Sequence, residues 1–171
     1  MKVRIFLIII IAAVSILVTS NLLLKDNAIE ANNLIWSEEF DYEGHPDESK
    51  WSYDVGDGCP KICGWGNNEL QYYKSTNTLV EDGLLKITAV KEPISGFNYS
   101  SSRIKTQGNK SFKYGRIDIR AALPYGQGIW PALWMLGESF STIGWPSCGE
   151  IDIMELVGGA NGNDGTVHGT L

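Results

Sequence analysis

The sequence predicts an all-β fold, an antiparallel β-sandwich, and three observations predict it. Strand-like runs recur at short spacing with turn residues between them. Aromatic residues (six Trp, seven Tyr, five Phe) and 19 Gly are frequent, the mix of a sheet protein with many turns. No segment sustains a 3.6-residue apolar period, and no repeat or low-complexity tract interrupts the pattern. A length of 171 residues suits one domain with a hydrophobic core.

The N-terminus is read apart from that fold. "MKVRIFLIIIIAAVSILVTSNLLLK" opens with Lys2 and Arg4 and then runs apolar from Ile5 to Val18, or more loosely to Leu24. Residues 1–25 fit two readings. One is a secretory signal peptide with cleavage after Ser20. The other is an uncleaved anchor, since ~20 apolar residues span a bilayer. Both place the chain from about Asp26 onward outside the cytoplasm, because the basic flank stays inside. The expected localisation is secreted or membrane-anchored. Residues 26–33 read as a polar linker and residues 34–171 as the folded domain.

Within that domain "LIWSEEF" reads as a first strand and "DYEGHPDESKW" as a loop. "GDGCPKICGWGNNELQYY" is Gly-rich, irregular, and ends in aromatics. "TLVEDGLLKITAV" reads as two strands around the turn dipeptide Asp82-Gly83. "SSRIKTQG" follows as a strand. "YGRIDIRAAL" alternates, with Ile117 and Ile119 on one face and Arg116, Asp118 and Arg120 on the other. "GIWPALWML", "GEIDIMELV" and "GTVHGTL" complete the series. The chain stops at Leu171 inside the last of these, so the domain is expected to be incomplete at its C-terminus.

Charge and cysteines narrow the function. The net charge is −6, with no Lys/Arg cluster beyond the extreme N-terminus, which excludes a nucleic-acid partner and leaves neutral substrates open. Three Cys in an oxidising compartment leave one thiol free. Cys59 and Cys63 flank "PKI" and could close a small ring, while Cys148 lies two residues before Glu150.

The chemistry concentrates in "WPSCGEIDIMELVG", Trp145 to Gly158. In a regular strand Glu150 and Asp152 share a face, and the next position on that face is Met154 rather than Glu155. One extra residue near Ile153-Met154, a β-bulge, returns Glu155 to the acidic face. Three like charges on a dry face repel, so the face is expected to line a wet cleft. Paired carboxylates flanking a glycosidic bond are the apparatus of glycoside hydrolysis. The outer two acids are ~13 Å apart along the strand, and inward-leaning side chains must bring them to ~5–5.5 Å for a retaining mechanism. Asp152 between them could share a proton with Glu150 and split the acids into ionised and protonated forms.

"GEIDIME" with "GWP" before it resembles the signature of glycoside hydrolase family 16. "WSEEFD", "GWGNNELQYY", "SSRIKTQG", "YGRIDIRAALPYGQGIWPALWML" and "HGT" are similar to that family's laminarinases, in the family's order, over nearly everything after residue 33. The resemblance implies a β-jelly-roll sandwich with a concave sugar-binding cleft. It implies retaining endo-hydrolysis of β-1,3-glucan, with Glu150 as nucleophile, Glu155 as general acid/base and Asp152 as the assisting acid. Met154 matches the bulged form of the motif, which the family's mixed-linkage lichenases lack.

The same resemblance implies that Trp130, Trp134 and Trp145 lie along the cleft. It also implies that Asn67 and Arg103 contact sugar hydroxyls and that His168 stands beside the acids. Aromatic faces suit the C–H faces of glucose, and amides and guanidinium suit its hydroxyls. No cofactor is required. A structural Ca²⁺ is a family feature for which Glu39 and the Gly83 carbonyl are candidate ligands. The expected partner is a β-glucan polysaccharide and the expected state a monomer, with membrane contact only through an N-terminal anchor. Competing readings are hydrolysis of agar, carrageenan or mixed-linkage glucan, and a non-catalytic β-glucan-binding protein. Retention of all three acids speaks against the last.

Overall fold

A computed structural model describes residues 34–159 and 162–171. The expectations for residues 1–25 and 26–33 lie outside the described residues. The described residues fall into two units, residues 34–39 and Phe40–Leu171, each considered by itself. Residues 34–39 form no strand, which corrects the reading of "LIWSEEF" as the first one.

The regular elements of the second unit are nearly all strands: β1 (Ser52–Asp54), β2 (Gln71–Tyr73), β3 (Thr78–Glu81), β4 (Leu84–Ile87), β5 (Val90–Ile94), β6 (Phe97–Ser101), β7 (Arg103–Lys105), β8 (Ala132–Leu136), β9 (Glu150–Gly159) and β10 (Gly162–Thr170). One four-residue α-helix, Phe140–Ile143, interrupts them among the described residues. Strands β1 and β7 pair, as do β3 and β4. The remaining two sheets have three strands each, in the orders β2-β6-β5 and β10-β9-β8. Every ladder is antiparallel except β2–β6, which runs parallel.

Local chemistry explains the hairpins. Asp82 and Gly83 both adopt left-handed backbone, φ 55° and 71°, and so make the tight turn between β3 and β4 that the dipeptide predicts. Ser95 and Gly96, at φ 50° and 87°, do the same between β5 and β6. In β3, Thr78 and Val80 point inward and Leu79 outward, the alternation of a half-buried strand. Val80 is fully buried and exchanges backbone hydrogen bonds of 2.9 and 2.7 Å with Gly44. Leu156, in the centre of β9, is the other buried large aliphatic among the described residues. Buried Asn77 donates to the Thr88 carbonyl at 2.8 Å and to Ser100 Oγ at 2.9 Å, so its amide joins the start of β3 to β6.

One predicted strand does not form. Residues 114–123 carry no ladder among the described residues, and Ile117 and Ile119 are 42% and 48% exposed. Alternation describes which way side chains point, but a strand exists only when its backbone N–H and C=O groups have a neighbour to pair with.

Candidate active site

Strand β9 carries the site, and its neighbours fix which way its side chains point. On β8, Ala132, Trp134 and Leu136 share one face by simple alternation. Their cross-strand partners are Glu155, Asp152 and Glu150 respectively, so the three acids share that face too. Between Leu133 and Trp134 the register slips: β8 advances one residue while β9 goes from Met154 to Asp152. The opposite neighbour shows the same extra residue, since His168 faces Glu155 and Thr170 faces Asp152. The β-bulge lies at Ile153-Met154, where the spacing of the acids places it.

Both outer acids accept hydrogen bonds from tryptophan. Trp145, in the loop before β9, donates its indole N–H to Glu150 Oε2 at 2.5 Å. Trp130, just before β8, donates its own to Glu155 Oε1 at 3.1 Å. Trp134 sits directly across from the central acid, Asp152. All three rings remain open to solvent, Trp145 at 65% exposure, so they can present faces to a ligand while two of them hold the acids.

Electrostatics separate Glu150 from an ordinary surface carboxylate. Partial burial pushes its carboxyl above its usual value of 4.5. The neighbouring charges of Asp152 and Glu155 push the same way, as does a hydrogen bond with Asp152. The Trp145 indole opposes them by stabilising the anion.

The expected binding residues fall at different places. Arg103, on β7, lies with its guanidinium 4.0 Å from the centre of the Trp65 ring, 5.1 Å from that of Tyr73 and 5.9 Å from that of Trp134. It thereby reaches the face that bears the acids. Asn67 is exposed in the turn that follows Trp65 and donates its backbone N–H to the Gly64 carbonyl at 3.0 Å. His168, on β10, is the cross-strand partner of Glu155. Trp130, Trp134, Trp145 and His168 are thus tied to the acids by register or contact, and Arg103 lies beside the Trp134 ring.

Sequence reasoning missed Asp54 and Trp65. Asp54 closes β1 and accepts from Arg103 Nε at 2.8 Å and Lys105 Nζ at 2.5 Å. The signal was an acid alternating in "WSYDVG" and two bases alternating in "RIK", but their pairing spans about fifty residues and shows only in the folded ladder. Burial and the nearby Glu69 carboxylate raise the pKa of Tyr73, whose hydroxyl donates to Glu69 Oε2 at 2.7 Å.

Among the described residues no three His, Cys, Asp or Glu side chains are arranged to hold a metal ion. Cys59 and Cys63 form a disulfide and Cys148 is a free thiol. A cavity of about 360 Å³ lined by Lys74, Asn77, Thr88 and Glu92 contains none of the candidate residues. Its polar groups are joined to one another, through the Lys74–Glu92 ion pair and the Ser100 hydroxyl that donates to Glu92.

Residues 66–171 match the family model described as "XgeA-like, catalytic GH16 domain". A Rhodothermus marinus protein named "Beta-glucanase" is 47% identical over 164 residues, covering 92% of this chain and 54% of that protein. A Niallia circulans protein named "Glucan endo-1,3-beta-glucosidase A1" is 44% identical, over 84% of this chain and 23% of its own length. The catalytic domain of an endo-1,3-β-glucanase (laminarinase) from Thermotoga petrophila superposes with a TM-score of 0.72 at 45% identity, covering 81% of this chain and 61% of that one. The chain thus spans about half the length of the beta-glucanase it matches. The fold they share with it is the all-β jelly roll.

Proposed function

The chain belongs to the GH16 family of glycoside hydrolase catalytic domains, and from that premise we propose that the protein is a retaining endo-hydrolase of β-1,3-glucan. The observation that carries the reading is the bulge in β9. It places Glu150, Asp152 and Glu155 on one sheet face, with an indole donor on each outer acid.

In this reading Glu150 attacks the anomeric carbon and Glu155 gives its proton to the departing glycosidic oxygen. A glycosyl ester on Glu150 results. Glu155, now ionised, takes a proton from water, and the hydroxide adds to the same carbon and releases Glu150 with the original anomeric configuration. The Trp145 hydrogen bond favours the ionised form that a nucleophile needs. Asp152, hydrogen-bonded to Glu150, is the assisting acid between the outer two. Trp130, Trp134, Trp145, Asn67, Arg103 and His168 bind the glucan. The relatives' names support the substrate class.

The same reading sets the domain outside the cytoplasm, through a signal peptide or an anchor. The Cys59–Cys63 disulfide supports an oxidising compartment.

The test is reducing-end release from laminarin by the chain, with Glu150→Gln as control and agar, carrageenan and mixed-linkage glucan as alternative substrates. Release from laminarin by the wild type and a loss of about 10³-fold or more in the variant are expected. Proton NMR of the first products should show the β-anomer. Initial α-anomer would sink the retaining mechanism, and preference for one of the other polysaccharides would reassign the substrate.

A further inference from the structure

We propose that Asp54 is a positioning residue: it fixes the guanidinium of Arg103 so that its terminal amino groups are offered to a bound glucan beside the acids. The proposal rests on the reading of the site as a glucan cleft.

The ladder between β1 and β7 sets Asp54 directly opposite Arg103, with Lys105 two residues along the same face. Each carboxylate oxygen takes a different cation: Oδ2 accepts from Arg103 Nε and Oδ1 from Lys105 Nζ. The Arg103 and Asp54 side chains are only 18% and 19% exposed, so the pair is shielded from the solvent screening that makes surface ion pairs weak. Charge-assisted hydrogen bonds of this kind are the stronger and more directional ones.

The ion pair determines one edge of the guanidinium, and Trp65 determines its plane. The Trp65 ring lies 4.0 Å from the guanidinium carbon, within the stacking range. That ring is itself anchored. Its indole N–H donates to the Gly56 carbonyl at 3.2 Å and its face packs at 5.7 Å on Tyr73. Its backbone is left-handed, φ 52° and ψ 26°, a conformation that a bulky residue rarely adopts. A strained tryptophan held on three sides is a fixed surface.

With Nε held by Asp54 and one face on Trp65, the four N–H bonds of the two terminal amino groups remain. Among the described residues none of them is given to a protein acceptor. Arginine has five donors in a rigid planar fork, so orienting Nε orients the others. Trp134, 5.9 Å from the guanidinium carbon, is the cross-strand neighbour of Asp152. The free edge therefore belongs to the neighbourhood of the acids, where a sugar's vicinal hydroxyls match two parallel donors. Without Asp54 the guanidinium keeps its charge but loses the direction of its fork.

Laminarin kinetics and melting temperature of the full chain carrying Asp54→Ala, Asp54→Asn, Arg103→Ala and Asp54→Ala with Arg103→Ala test this. Asp54→Ala should raise KM about tenfold with kcat changed less than about twofold, the size of one directed hydrogen bond to a charged group. Asp54→Asn, which keeps an acceptor and the side-chain shape, should fall between it and the wild type. Adding Asp54→Ala to Arg103→Ala should raise KM no further. An unchanged KM in Asp54→Ala overturns the proposal, as does a further rise in the double variant. So does a fall in apparent kcat in proportion to lost folded protein with KM unmoved. A readout without glucan is the Arg103 Nε–H signal in ¹⁵N NMR, protected from exchange in the wild type and Asp54→Asn and unprotected in Asp54→Ala. Lack of protection in the wild type overturns the proposal. An inactive wild-type chain sinks the functional reading instead, and the Nε–H signal still decides the role of Asp54.

Discussion

The Trp145–Glu150 hydrogen bond, at 2.5 Å, shows how one side chain sets the chemistry of another. Burial and two neighbouring acids raise the Glu150 pKa, and the indole N–H holds it down. In the proposed mechanism Glu150 is the nucleophile and works ionised, so the acidic limb of kcat/KM follows this balance. Trp145→Phe keeps the aromatic face and removes the donor. The acidic limb should then move to higher pH, with activity at the alkaline end less affected. A limb that stays in place would show that the indole contributes only its face. The three acids were legible from their spacing. The two indole donors were not, because a tryptophan in a sequence announces an apolar surface and gives no direction for its N–H.

Strand β9 is the element on which this geometry depends, and its flanks are packed too closely for any side chain. A Cβ on Gly137 would stand 2.0 Å from the Cys148 carbonyl oxygen, and one on Gly158 would stand 2.0 Å from that of Gly126. Gly137 N–H also donates to the Gly149 carbonyl at 3.2 Å. Gly137 therefore sets the position at which the chain enters β9, one residue before Glu150. Gly137→Ala must displace that backbone. It should cost about 2 kcal/mol of stability and lower kcat more than KM, since Glu150, the proposed nucleophile, moves while the proposed sugar platforms stay. Chemical denaturation alongside laminarin kinetics checks both. The element also shows the limits of patterning. The bulge could be read because the acids had to share a face. The strand expected at residues 114–123 could not be verified by alternation, because pairing depends on another stretch of backbone. The parallel β2–β6 pair left no local trace for the same reason.

For the whole molecule, the site works against stability. Glu150 ionises less readily in the fold than in the unfolded chain. The unfolded state therefore releases this proton first as pH rises, and stability declines from about the ordinary value of 4.5 up through the higher folded value. Glu150→Gln removes that penalty. Its melting temperature should match the wild type at low pH and exceed it increasingly towards neutrality. A constant difference across pH would mean that the gain comes from packing and not from charge. The sequence by itself determined the all-β class, the Asp82-Gly83 hairpin, the bulged acidic strand and the residue types of the proposed sugar cleft. Each of those follows from local rules: side-chain alternation, turn conformation, like-charge repulsion and repeated family motifs. Only the tertiary structure decided which donor holds which acid, that Asp54 rather than solvent receives Arg103, and that His168 faces Glu155. Those contacts join residues from 5 to about 50 positions apart, and only closed ladders fix their register.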